Sequence, residues 1–169
     1  MKLVTKLLLM AFAGVLVVSC LEDQTDDMVE RTAAMEQEEL AIYLDTLAQR
    51  GFDVDTTELG VYYVVDSLGD GPFPQSGDTC IVKYTGFLLG GYIFDASMYH
   101  NPDSTYQFVL NETPMIEGWN DGMQTINEGT TSYLIIPSDL AYGSAGYYPI
   151  RPYETLIFRV EMVEIKQAY

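Results

Sequence analysis

Along residues 156–165, Leu156, Phe158, Val160 and Met162 share one side of the chain, while Arg159 and Glu161 fall on the other. That period of two belongs to an extended strand with one dry face and one wet face. Residues 79–85 repeat it, Cys80, Val82 and Tyr84 alternating with Thr79, Ile81 and Lys83. Shorter β-rich runs occupy 61–65, 92–94, 106–110 and 133–136. Gly69-Asp70-Gly71-Pro72 and Gly90-Gly91 supply turn chemistry between them. A single stretch, 114–124, breaks the pattern with Ile116, Trp119 and Met123 on one helical face and Pro114 at an early helical position. Many short strands and one amphipathic helix predict an α+β domain over residues 60–169. Its architecture is a twisted antiparallel β-sheet wrapped around one short α-helix. Roughly a hundred residues suffice for one such core.

A different chemistry leads into this domain. Lys2 and Lys6 flank a short basic start, and the apolar run 7–18 is too short for a comfortable transmembrane helix. The run ends in Val17-Val18-Ser19-Cys20, which resembles the lipobox of bacterial lipoproteins. The resemblance implies that residues 1–19 are a lipoprotein signal peptide and that Cys20 is the lipidation site, anchoring the chain to a membrane. Residues 20–27 are polar and acidic and read as a tether. Over 28–50 the spacing of Met28, Met35, Leu40, Tyr43, Leu44 and Leu47 predicts an N-terminal helix, stopped by Gly51 and joined to the main domain by a linker reaching residue 59. Its apolar stripe either packs on the domain or pairs with a second copy of the chain as a homodimer.

The formal charge is −17, and removing Lys2 and Lys6 with the leader makes it two units more negative. Such a surface repels phosphate backbones, so nucleic acid is excluded as a partner. With Cys20 assigned to the lipobox, Cys80 has no disulfide partner and reads as a small buried hydrophobe. No metal-ligand cluster is evident: Asp66, Asp70 and Asp78 do not form an EF-hand loop. Gly143-Ser144-Ala145-Gly146 is not a nucleophile elbow, and the lone His100 reads as a loop residue. The pairs Asp26-Asp27 and Glu38-Glu39 read as solvated faces.

What remains is a set of aromatic landmarks in fixed order: Tyr84-Thr85-Gly86, Phe94-Asp95, Ile116-Glu117-Gly118-Trp119, 137–143 and Thr155-Leu156-Ile157-Phe158. Singly, each aromatic would be an ordinary core residue. Together, with Gly77-Asp78-Thr79 opening a strand, they make residues 60–166 resemble an FKBP-type peptidyl-prolyl cis–trans isomerase domain. The resemblance implies a catalytic pocket of Tyr84, Phe94, Asp95, Trp119, Tyr142 and Phe158, with Trp119 as floor. It implies substrate-binding positions at Tyr106, Met115, Ile116, Tyr147 and Ile150, the last two on a loop over the pocket. No cofactor or metal is implied. Proline-containing polypeptides are the expected partners, and macrolides of the rapamycin type could occupy the same cup. With the acylated cysteine, the arrangement resembles FKBP lipoproteins of Gram-negative bacteria, anchored in the cell envelope. Leu21 after Cys20 points to the outer membrane, periplasmic or surface-exposed.

This sequence departs from the family pattern at one informative place. Between Lys83 and Arg151 there is neither lysine nor arginine, so the arginine that the family commonly sets beside the pocket carboxylate is missing. In its stead stands Ala96-Ser97-Met98-Tyr99-His100-Asn101-Pro102, about two residues longer than in compact relatives. Asp95 therefore lacks its expected partner unless Tyr99 or His100 supplies one. Two alternatives to the isomerase follow: a chaperone or binding module of the same fold with little turnover, and a structural or adhesion lipoprotein with a vestigial pocket.

Overall fold

The computed structural model describes residues 30–168. The expected signal peptide, Cys20, the tether and Met28 lie outside the described residues. The leading helix, α1, spans Ala33–Gln49. It begins where the extended Thr32 accepts the Met35 N–H on its hydroxyl at 3.3 Å, satisfying one of the free amides of the first turn. It ends at Arg50, followed by Gly51 at φ 82°, the left-handed stop that the sequence suggested.

Seven strands follow: β1 Asp55–Thr56, β2 Tyr62–Ser67, β3 Thr79–Leu88, β4 Ile93–Ala96, β5 Tyr106–Val109, β6 Thr131–Ile136 and β7 Leu156–Lys166. Helix α2, Glu117–Met123, lies between β5 and β6. Every pairing is antiparallel, in the order β1-β2-β6-β7-β3-β4, with β5 also on β3. β3 is the hinge of this arrangement. One of its edges pairs with β7 from Thr79 to Leu88; the other is shared, β5 taking Thr79–Val82 and β4 taking Thr85–Phe87. Tyr84 falls in the gap between them. There the Ser97 hydroxyl accepts the Tyr84 N–H at 3.1 Å and donates to the Ser104 carbonyl at 2.6 Å, standing in for the absent strand.

The alternation seen in sequence sorts the two faces of the sheet. Val82, Tyr84, Leu134, Ile136, Phe158 and Val160 turn inward onto Trp119 and Met123 of α2. Gly118 and Gly122 let the helix lie flush: a Cβ at Gly118 would stand 2.3 Å from Ile136 Cγ2, and one at Gly122 2.8 Å from Leu134 Cδ1. The α+β architecture is as expected, with two adjustments. First, α2 is shorter than the predicted 114–124. Pro114 precedes it, and Ile116 is still extended (ψ 147°) as its N-cap, its carbonyl accepting the Trp119 and Asn120 amides, so the helix opens only at Glu117.

Second, the outer face of the sheet is not simply wet. Ile135 and Ile157 are buried there beneath Leu40, with Tyr43, Leu44 and Leu47 of α1 beside them. Burying such a side chain stabilises by about 1.5–3 kcal/mol, so this stripe alone can hold α1 against its own sheet. Among the described residues no helix is long and apolar enough to cross a membrane.

Candidate active site

A cleft of about 540 Å³ opens between α2, β4 and the segment after β6. Its walls include Tyr84, Phe94, Asp95, Met115, Ile116, Trp119, Tyr142 and Phe158, all of which the sequence nominated, together with Pro114, Glu117 and Ala141. Each element contributes for a local reason. The period of two along β3 and β7 turns Tyr84 and Phe158 to the same side, and the short α2 raises Trp119 beneath them. Trp119 is only 1 % exposed and meets Tyr84, Phe108 and Phe158 edge-on, at centroid distances of 5.4, 5.6 and 5.1 Å. Phe94 meets Phe158 the same way at 5.5 Å. Edge-to-face pairs of this kind contribute about 0.5–1.5 kcal/mol beyond their burial, so the rings hold one another in register.

Gly86 makes that packing possible. A Cβ there would lie 2.7 Å from Phe94 Cζ and 2.9 Å from Phe158 Cε1. The glycine of Tyr84-Thr85-Gly86 thus marks the spot where two rings press on the backbone of β3.

The polar rim centres on Asp95. Its Oδ2 accepts the Tyr84 hydroxyl at 2.6 Å, and its Oδ1 accepts the Ala96 N–H at 2.8 Å. Oδ1 also meets His100 Nε2 at 2.7 Å. Asp95 therefore has a basic partner after all, supplied from the 3₁₀ turn Ser97–Tyr99 and the residue that caps it. Sequence reading left His100 as an ordinary loop residue with a conditional bond to Asp95. Its register became visible only once the turn after β4 folded the ring back by five positions. Burial first, then the hydrogen bond to Asp95, push the Tyr84 hydroxyl far above the ordinary tyrosine value, so it stays a donor. Burial also raises Tyr142, with Tyr147 and Asp95 adding to the shift.

Three nominated residues stand behind the cleft lining rather than in it. Tyr106 packs edge-on against Tyr84 at 5.8 Å and directs its hydroxyl to Met115 Sδ at 3.8 Å. Tyr147 is 66 % exposed and stacks on Tyr142 at 5.2 Å, extending that wall outward. Ile150 is buried within the core, its amide bonded to the Tyr147 carbonyl at 2.7 Å. Arg151 turns its guanidinium onto Glu154 at 2.5 Å. Cys80 is fully buried, and burial, with a smaller push from Asp78, raises its thiol to about 11. This matches the expected small hydrophobe.

Comparison with known proteins agrees with this geometry. The family described as FKBP-type peptidyl-prolyl cis-trans isomerase matches residues 71–163. The chain is 38% identical over 115 residues to the FKBP-type peptidyl-prolyl cis-trans isomerase FkpA of Escherichia coli (strain K12), covering 68% of this chain and 41% of that protein. It is 37% identical over 111 residues to the outer membrane protein MIP of Legionella longbeachae, covering 64% of this chain and 46% of that one. The crystal structure of a peptidyl-prolyl cis-trans isomerase from Pseudomonas syringae pv. tomato superposes with a TM-score of 0.68 at 30% identity, over 81% of this chain and 97% of that one. The chain thus spans less than half the length of these two curated relatives. Family match, relatives and solved structure all agree, and the chain belongs to the FKBP-type peptidyl-prolyl cis-trans isomerase family.

Proposed function

We propose that residues 60–169 form a peptidyl-prolyl cis–trans isomerase domain acting on Xaa-Pro bonds of exported proteins. The observation that carries the proposal is the joint lining of one cleft by Tyr84, Phe94, Trp119, Phe158, Tyr142 and the Asp95 carboxylate. Rotation about a peptide bond faces a barrier of about 18–20 kcal/mol, because the planar amide is stabilised by resonance. That planar form is charge-separated and is better solvated by water than the twisted one. A cup of aromatic rings withdraws the solvation and receives the proline ring, while its shape favours the twisted imide. Proline suits the task because its cis and trans forms lie within about 1 kcal/mol of each other.

The polar groups take distinct roles in this reading. The Tyr142 hydroxyl donates to a substrate carbonyl, and the extended main chain at Met115 and Ile116 aligns the peptide along the cleft. Tyr106 braces Tyr84 from behind, and Tyr147 with Ile150 shapes the outer wall. Asp95 fixes the Tyr84 hydroxyl, with His100 as its basic partner. No covalent intermediate is needed, and each ~1.4 kcal/mol removed from the barrier gives about tenfold in rate. A protease-coupled assay on Xaa-Pro tetrapeptides tests the proposal; a rate equal to that of buffer overturns it.

A second reading, a chaperone with weak turnover, draws on the exposed apolar side chains near the cleft. Tyr148 is 95 % exposed, and Met98, Tyr99 and Ile93 stand open as well. Suppression of aggregation that survives Tyr142→Phe would favour it. Rapamycin-type macrolides fit the same cup, and saturable binding would argue against a vestigial pocket.

The remaining architecture is proposed on sequence grounds: a signal peptide over 1–19, lipidation at Cys20, a tether to residue 27 and a helix-and-linker segment to residue 59. The site of action is then the Gram-negative envelope, with the domain held at the outer membrane. Mass spectrometry of the membrane-extracted protein would reveal acylation. The apolar stripe of α1 is covered by its own sheet, which supports a monomeric unit over pairing through that helix. Sedimentation of the full chain compares the two.

A further inference from the structure

Helix α1 does more at its N-terminal end than bury a stripe. Glu36 is only 6 % exposed, and its carboxyl accepts three hydrogen bonds. Oε1 takes the Ser138 N–H at 2.7 Å and the Thr155 hydroxyl at 2.8 Å, and Oε2 takes the Ser138 hydroxyl at 2.5 Å. Ser138 and Thr155 are the two ends of the segment between β6 and β7, and that segment carries Ala141 and Tyr142 of the cleft.

The bonds continue inward. The Ser138 carbonyl accepts the N–H of Ala141 at 2.9 Å and of Gly143 at 2.7 Å, the residues flanking Tyr142. A second route starts at Arg31, just before the helix. Its guanidinium donates to the Tyr153 carbonyl at 2.9 Å, and the Tyr153 N–H donates to the Gly143 carbonyl at 2.9 Å. Both routes reach Gly143, which sits at φ 56° and fixes the bend after Tyr142.

Docking a helix does not require a buried carboxyl. An apolar side chain would anchor it without the cost of desolvating a polar group, whose advantage lies in the direction of its bonds. We propose that Glu36, supported by Arg31, is a positioning residue for the pocket: through Ser138 and Gly143 it sets where the Tyr142 hydroxyl meets the substrate. This rests on the isomerase reading above.

The test uses the full chain and a Xaa-Pro tetrapeptide, at a temperature where circular dichroism finds each variant folded. Glu36→Ala is expected to lower kcat/KM by about three- to tenfold, in line with losing one aligned hydrogen bond in the transition state. Glu36→Gln can still accept on Oε1 and donate from its amide to the Ser138 hydroxyl, so it should recover most of the activity. On a Tyr142→Phe background the Ala substitution should cost less than about twofold, since residues acting through one another are non-additive. Equal losses on both backgrounds, or a folded Glu36→Ala variant as active as wild type, would overturn the proposal. If Glu36→Ala does not fold, Ser138→Ala removes one of the same bonds and takes its place in the cycle. An inactive wild type would instead sink the isomerase reading; the affinity of the same peptide, measured by calorimetry, then carries the identical comparison.

Discussion

Asp95 has both oxygens engaged, one by Tyr84 and the other by Ala96 and His100, so a change at any of these side chains is felt at the cleft. His100→Ala removes a half-exposed hydrogen bond to the Asp95 carboxylate, which is worth about 1 kcal/mol. We expect kcat/KM on Xaa-Pro peptides to fall about two- to fivefold, with the melting temperature nearly unchanged. Gly86→Ala is the harsher substitution, because the added methyl must displace Phe94 or Phe158. Overpacking of this sort costs about 1–3 kcal/mol, and both a lowered denaturant midpoint and lost turnover are expected. The residues that line the cleft were readable in the sequence through their resemblance to a known family, and the fixed periods of β3, β7 and α2 explain why Tyr84, Phe158 and Trp119 fall on one side. His100 was not, because a 3₁₀ turn followed by an irregular loop obeys no period. Glu36 was less visible still, though one signal marks it: it falls on the Leu40, Tyr43 and Leu47 stripe of the predicted helix, where Glu38 does not. Glu39, read there as solvated, instead pairs with Arg31 at 2.7 Å.

Among the elements, α1 is the one whose destination the sequence left open. Its stripe predicted contact with something, and the outward Ile135 and Ile157 are the reason it settles on its own sheet. The alternation in β7 was legible from Leu156 to Met162, yet Ile157 breaks the rule of a wet outer face because a second layer covers it. Only the partner element, far away in sequence, reveals that. Leu40→Ala should therefore destabilise the protein by about 2–3 kcal/mol, the cost of a cavity at a site that cannot fully collapse. Urea unfolding would measure it, with the midpoint lowered and the slope unchanged. For α2 the start was misjudged by three residues, since Pro114 looks like a helix opener but the chain stays extended at Ile116 and turns helical only at Glu117.

At the level of the whole molecule, the buried titratable groups set an alkaline limit. The Cys80 thiol has an ordinary value of 9.0 and is raised to about 11 in the folded protein, and Tyr84 is displaced in the same direction. Below the ordinary value both folded and unfolded chains hold the proton, and stability does not depend on it. Above it the unfolded chain releases the proton first, so stability falls as pH rises from about 9 towards 11. Denaturant midpoints taken at about pH 8 and about pH 10.5 should differ accordingly, and Cys80→Ala should reduce the difference. Iodoacetamide should leave Cys80 unlabelled until the protein is unfolded, because the thiolate is the reactive form. The ring cluster beneath the cleft has an optical consequence as well. Trp119 is the sole tryptophan of the chain, and it forms the cleft floor. Emission excited selectively at the indole therefore originates from one known location, with no background from elsewhere. Whatever enters the cup changes the surroundings of that single fluorophore, which gives the protein an intrinsic gauge of occupancy without any attached dye.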